Sequence, residues 1–194
     1  MENVLAALLG YIVGSVPFAF LLSRRRGIDL RVAGSGNVGA ANVLRTSGVR
    51  SAVLALCLDA AKGSVAVVVA QRMASPGAAV AAGFASIIGH VYPVWLGFKG
   101  GKGVATATGV FAILAPPALA VAVGAFLVGV IATRYVSVGS LAGAITLVGA
   151  TLATAAPPAV VVGAVLTALL ILLRHRDNII RLVAGTERRV GTRS

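Results

Sequence analysis

The chain has 194 residues, of which 58% are apolar and only 11% charged, with a mean hydropathy of +0.98; these values exclude a soluble globular domain and describe an integral membrane protein. The formal charge of +12 does not point to nucleic acid, because there is no soluble fold and no exposed aromatic platform to read it. It is read against the membrane instead.

A helix rising 1.5 Å per residue needs roughly 20 residues to cross about 30 Å of hydrocarbon. On that basis the sequence predicts an all-α polytopic fold with about seven transmembrane helices, near 3–23, 51–71, 78–96, 104–115, 118–133, 138–156 and 158–173. Ser75-Pro76-Gly77, Pro116-Pro117 and Pro157-Pro158 mark turns between them. The fourth stretch is too short to cross alone, so it is expected to begin inside a loop or to be shielded by neighbours. With only short connections, residues 1–194 read as a single membrane domain.

Lysines and arginines orient these spans. With the N-terminus outside, Arg24, Arg25, Arg26, Arg31, Arg45, Arg50, Lys99, Lys102, Arg134 and the arginines from Arg174 to Arg193 fall on one side. Only Arg72 falls on the other, and Lys62 lies inside a span. The crowded side is therefore the cytoplasm, and the C-terminus lies there. The first span lacks a basic stretch before it and carries its arginines after it, which predicts a retained anchor rather than a cleaved leader. Arg24, Arg25, Arg26, Arg188, Arg189 and Arg193 read as topology determinants or contacts to anionic membrane lipids. Cys57 sits in an apolar stretch and reads as packing.

Three polar islands stand out on the expected cytoplasmic side. The first, GSGNVGAANVLR, runs from Gly34 to Arg45. Gly34, Gly36 and Gly39 permit unusual backbone and close approach, Ser35, Asn37 and Asn42 offer short polar side chains, and Arg45 supplies a forked cation. The Gly34-x-Gly36-x-x-Gly39 spacing imitates a dinucleotide fingerprint, yet no βαβ unit surrounds it. A phosphate loop and an ordinary glycine-rich turn both fit.

The second island, FKGGKG at 98–103, places Gly100, Gly101 and Gly103 around Lys102 where a helix begins at Val104, an arrangement suited to an anion. It is not a nucleotide P-loop, since no strand precedes it and Gly103 follows the lysine. Snorkelling of Lys99 and Lys102 to the interface is the alternative.

The third, RHRDNIIRLVAGTE from Arg174 to Glu187, puts His175, Asn178 and Arg181 along one face if it is helical. Glu187 reads as a structural partner for a nearby arginine. Asp59 and Lys62, at i and i+3 inside the second span, read as a mutually neutralising pair. Ser137 and Ser140 stand at another helix start, as caps or ligand donors, and His90 reads as an interfacial residue.

The sequence lacks a nucleophile elbow, a His-Glu zinc pair and a carboxylate cluster for Mg²⁺, so no metal and no cofactor is expected. Neither histidine has an aspartate five positions on, since Trp95 and Ile180 stand there. Anion holders beside apolar helices, with few acids or bases, suit substrates that carry their own reactivity, such as an acyl phosphate. An organophosphate carrier remains open, as does a structural lipid-binding protein.

At these residues the chain resembles the bacterial acyl-phosphate-dependent glycerol-3-phosphate acyltransferases, the PlsY family, over essentially its whole length. The resemblance rests on GSVPF at 14–18, GSGNVGAANVLR at 34–45, Asp59 with KG at 62–63, GH at 89–90 with FKGGKGVAT at 98–106, and HRDNIIRLVAGTE at 175–187. It implies a seven-helix inner-membrane fold that makes 1-acyl-glycerol 3-phosphate and phosphate from acyl phosphate and glycerol 3-phosphate, with no obligate protein partner. It also implies that Ser35, Asn37 and Arg45 hold a substrate phosphate, that the glycines around Lys102 form a second cradle, and that His175 and Asn178 serve binding and catalysis. The family commonly has threonine where Ala41 stands, so any role of that hydroxyl does not carry over. The proton acceptor is left between His175 and the donor's own phosphate oxygen.

Overall fold

The computed structural model describes residues 2–73 and 76–191; Ser75 and Arg193 lie outside the described residues. The described residues are helical apart from turns and loops, and the helices form two compact units that divide between Leu114 and Ala115.

In the first unit, α1 (Glu2–Ser15) and α2 (Phe18–Arg24) make one span broken at Val16-Pro17, where proline withholds its N–H and obstructs the preceding turn. The polar loop that follows leads to α3 (Ala40–Ser47), an eight-residue helix between Gly39 and Gly48. This corrects the reading of Gly34–Arg45 as loop throughout. Within α3, Thr46 Oγ1 donates to the Asn42 carbonyl one turn back at 3.0 Å.

The long α4 (Val49–Met73) and α5 (Pro76–Val91) follow, then a 3₁₀ turn (Val94–Leu96) and the short α6 (Val104–Leu114). Glycines let these helices touch through their backbones, as lipid-embedded packing favours. A Cβ at Gly14 would fall on the Ser86 backbone of α5, and one at Gly109 of α6 on the Ala60 backbone of α4.

The second unit holds α7 (Pro116–Thr133), α8 (Val136–Ala153), α9 (Pro158–Arg174) and α10 (Arg176–Val183). Pro116 and Pro158 occupy first-turn positions, where their missing N–H costs nothing. Between α9 and α10 the axis bends by 55°.

Among the described residues, five helical segments are long and apolar enough to cross a bilayer: Glu2–Arg24, Val49–Met73, Gly77–Leu96, Pro116–Thr133 and Val136–Ala153. The bent α9–α10 pair makes a sixth if it counts as one span. The protein is thus an all-helical, multi-pass integral membrane protein. The expected fourth span is α6, whose 11 residues cover only about 16 Å of axis. It stays among apolar helices because Thr106, Ala107, Gly109, Val110 and Phe111 are buried within the unit.

Candidate active site

Asn42 organises the first polar island from within. It is 1% exposed, and its Oδ1 accepts the Ser35 amide at 2.9 Å while Nδ2 points at the carbonyls of Ala33 and Asn37, both at 3.0 Å, and Leu30 at 3.3 Å. Its amide group is committed to the loop. Gly34 and Gly36 take φ of +62° and +72°, the left-handed turn that only glycine adopts cheaply. The Gly36 amide donates to Ala33 at 3.1 Å, so the amides of Ser35 and Gly36 serve the fold. What the segment presents outward is the exposed Ser35 and Arg45, with Asn37 half-buried.

The second island is tied down in the same manner. The Gly100 amide donates to Val91 at 3.0 Å and the Gly101 amide to His90 at 3.1 Å. These two N–H groups therefore hold the loop to the end of α5, a use that depends on the chain folding back and leaves no mark in the glycine spacing. Gly101 is glycine for a further reason, since a Cβ there would collide with the His90 imidazole. Gly103, at φ +88°, turns the chain into α6, whose opening amides lack acceptors one turn earlier. Lys102 lies half-buried beside that helix start.

The two islands meet. Val38 of the first and Gly101 of the second line one narrow recess, together with Ser15, Pro17, Asp59, Lys62 and His90. Sequence reasoning missed this gathering. Asp59 and Lys62 were legible as a pair, and they do pair, Nζ to Oδ1 at 2.7 Å. Nothing in the spacing signals that His90, 31 positions on, brings its Nδ1 to 3.6 Å from the same oxygen.

In the second unit, His175 stands at the bend between α9 and α10, 2% exposed. Its Nδ1 lies 2.8 Å from the Ile171 carbonyl. A carbonyl only accepts, so Nδ1 carries the proton and Nε2 is the basic nitrogen of the neutral ring. Asn178, on α10, donates to Glu187 Oε1 at 2.6 Å, and Ser137 donates to the same oxygen at 3.0 Å. Arg181 meets Oε2 at 2.7 Å, the arginine partner expected for Glu187. Burial pushes the Glu187 pKa up, but the bonds from Asn178, Arg181 and Ser137 outweigh it and hold the carboxyl below the ordinary glutamate range. Ser137 and Ser140 do not cap α8: Tyr135 occupies the cap position, and Ser140 bonds back to Val136 at 2.9 Å. Among the described residues no three His, Cys, Asp or Glu side chains gather as metal donors.

The fold and these loops define a class: a polytopic helical membrane protein that sets cations and short polar groups beside apolar helices, at loops pinned by their own amides. Comparison with known proteins identifies which. Residues 4–185 match the family model described as glycerol-3-phosphate acyltransferase, and the chain belongs to that family; it is an acyltransferase. A relative named glycerol-3-phosphate acyltransferase from Anaeromyxobacter sp. (strain K) is 48% identical over 198 residues, covering 97% of this chain and 98% of its own. One from Myxococcus xanthus (strain DK1622) is 46% identical, covering 94% and 96%. Two crystal structures of PlsY (YgiH), an integral membrane glycerol 3-phosphate acyltransferase, superpose with TM-scores of 0.94 and 0.92 at 37% and 36% identity, each covering 99% of this chain and 97% of the other. The first is its glycerol 3-phosphate form and the second its lysophosphatidic acid form.

Proposed function

We propose that this acyltransferase takes its acyl group from an acyl phosphate and passes it to the 1-hydroxyl of sn-glycerol 3-phosphate, giving 1-acyl-sn-glycerol 3-phosphate and inorganic phosphate. The observation that carries the reading is the recess shared by Val38 and Gly101, which makes the Arg45-bearing and Lys102-bearing segments neighbours. Two phosphorylated reactants need two cationic holders. Ser35, Asn37 and Arg45 form one; Lys102 with Gly103 and the opening amides of α6 form the other. The amides of Gly36, Gly100 and Gly101, with Gly39 ahead of α3 and the Asn42 side chain, shape these holders from behind.

The hydroxyl oxygen forms a bond to the acyl carbon, and the acyl carbon's bond to the phosphate oxygen breaks. The hydroxyl proton goes to the departing phosphate, which needs little help as a leaving group. Nε2 of His175 is the second candidate, and Asn178 and Ser137, aligned through Glu187, bind beside it, with Ser140 on the same helix end. His175→Gln separates the two: a fall in kcat within about tenfold supports the phosphate, and a fall of about 10³-fold or more supports the imidazole. No metal or cofactor enters this chemistry.

We read residues 1–194 as one domain, because the family match runs continuously across the Leu114/Ala115 division. Counting α6 as a shielded crossing gives seven, with the N-terminus outside and the polar islands facing the cytoplasm of a bacterial inner membrane. The basic residues support this arrangement. Reporter fusions after Arg50, Lys102 and Arg189 are expected to report cytoplasm in every case. The decisive assay gives purified protein acyl phosphate and glycerol 3-phosphate and measures phosphate and lysophosphatidate released, with acyl-CoA as control. Product from acyl-CoA alone overturns the donor.

A further inference from the structure

Three ionisable side chains lie together inside the membrane-spanning part of the first unit: Asp59 is 1% exposed, Lys62 4% and His90 7%. Such groups are costly among apolar helices and persist where they do something. Neutralising one another needs only the Asp59–Lys62 pair, which is complete within α4. The cluster extends well beyond it. Lys62 Nζ reaches 2.8 Å to the Val16 carbonyl at the break in the first span. It also lies 5.8 Å from the centre of the Phe18 ring. From α5, His90 turns Nδ1 toward Asp59, while its imidazole Nε2 side abuts Gly101 and its carbonyl holds the Gly101 amide. Asp59 Oδ2 is buried with no hydrogen-bond donor. The cluster thus joins the broken first span, α4, α5 and the Gly100–Gly103 loop around one recess.

We propose that Asp59, Lys62 and His90 are positioning residues that set the Gly100–Gly103 loop, and through it Lys102, against one of the two phosphorylated reactants. Asp59 fixes the imidazole. The imidazole face and carbonyl of His90 fix Gly101, the next residue is Lys102, and Lys62 locks the assembly to the broken first span. None of the three touches the reacting atoms. This rests on the reading of Lys102 as a phosphate holder.

The experiment uses the purified full-length protein carrying Asp59→Asn or His90→Gln, with both apparent KM values, kcat and thermal melting in detergent compared with the parent chain. The expected result is a rise of about tenfold in KM for one phosphorylated reactant, with the other KM within about twofold and kcat within about threefold; the melting temperature of His90→Gln stays within about 5 °C, while Asp59→Asn, which strands the Lys62 charge, melts lower. That selectivity is a signature that general loosening does not give. The inference is overturned if a folded His90→Gln protein keeps both KM values within twofold, or if both rise together. Should Asp59→Asn not fold, His90→Gln alone decides, because it removes the ring while keeping a polar tip and leaves the Asp59–Lys62 pair intact. The ratios are measured with whichever acyl donor the parent chain uses. Failure of the acyl phosphate reading then shows in the parent protein, and failure of this inference only in the ratios.

Discussion

Asp59 and Glu187 are both carboxylates sunk among helices, and the two units satisfy them in opposite ways. Asp59 sits in a span, matched by a full ammonium charge on one oxygen and left without a donor on the other. Glu187 sits past the last helix and collects donors on both oxygens, from Ser137, Asn178 and Arg181. The difference follows from solvent. Among apolar helices a carboxylate needs an opposite charge brought from its own helix, whereas at a helix end neutral donors and a half-exposed guanidinium suffice. One arrangement is all-or-nothing, and the other comes apart by degrees.

The largest effect that separates them comes from Lys62→Met, which strands the Asp59 charge. It is expected to cost about 3–5 kcal/mol, read as loss of folded protein in detergent, while the Asp59→Asn/Lys62→Met double variant recovers most of it. If the single variant is as stable as the parent, Asp59 is not held by charge. Next come Arg45→Ala and Lys102→Ala. Each should lower kcat/KM by about 10²–10³-fold with the melting temperature unchanged, because one removes an outward guanidinium and the other an ammonium at a helix start. Parent-like turnover in both contradicts the assignment of these residues to phosphate.

Glu187→Gln is milder, about 2 kcal/mol, since the amide oxygen still accepts from Asn178 and Ser137 while its NH2 group cannot accept from Arg181 and that charge-assisted bond is lost. Its pH signature sharpens the comparison. Because the folded pKa of Glu187 lies below the unfolded one, its contribution is complete above the ordinary glutamate range and fades as pH falls through the folded value. Melting of the parent chain should therefore drop more than that of the variant between about pH 5 and pH 3.

The smallest effect is at Asp29, on the surface loop. The Arg31 guanidinium and backbone amide, with a lesser contribution from Arg24, hold its carboxyl down to about 2, yet the pairs are solvated. Asp29→Asn is expected to move melting by no more than about 2 °C, and added salt to erase the difference.

The long helices were legible because apolar composition over 18 or more residues has one outcome in a bilayer, and their breaks were legible as proline. Thus 51–71 became Val49–Met73 and 118–133 became Pro116–Thr133, each within two residues. The short α3 was not legible. Its residues are polar and small, and it is held by the Asn42 bonds and by packing of Val43 with Leu30 and Val38, contacts made only once the loop closes. At the site, residue types were legible but the destinations of their donors were not. The amides of Gly100 and Gly101 looked bare because glycine spacing says nothing of the Val91 and His90 carbonyls that receive them. Asn42 looked like a ligand group for the same reason. His90 read as an interfacial residue because its partner lies on another helix, at a distance in sequence that no periodicity encodes.

The backbone contact of α1 with α5 at Gly14 and Ser86 also has a consequence for biogenesis. The first helix leaves the ribosome with its glycine groove unfilled, and at roughly 5–20 residues per second the matching helix follows on the order of ten seconds later. Through that interval the groove faces lipid or the insertion machinery. A bulkier residue at Gly14 therefore passes unnoticed at insertion and is rejected only when α5 arrives, as a failure of late assembly.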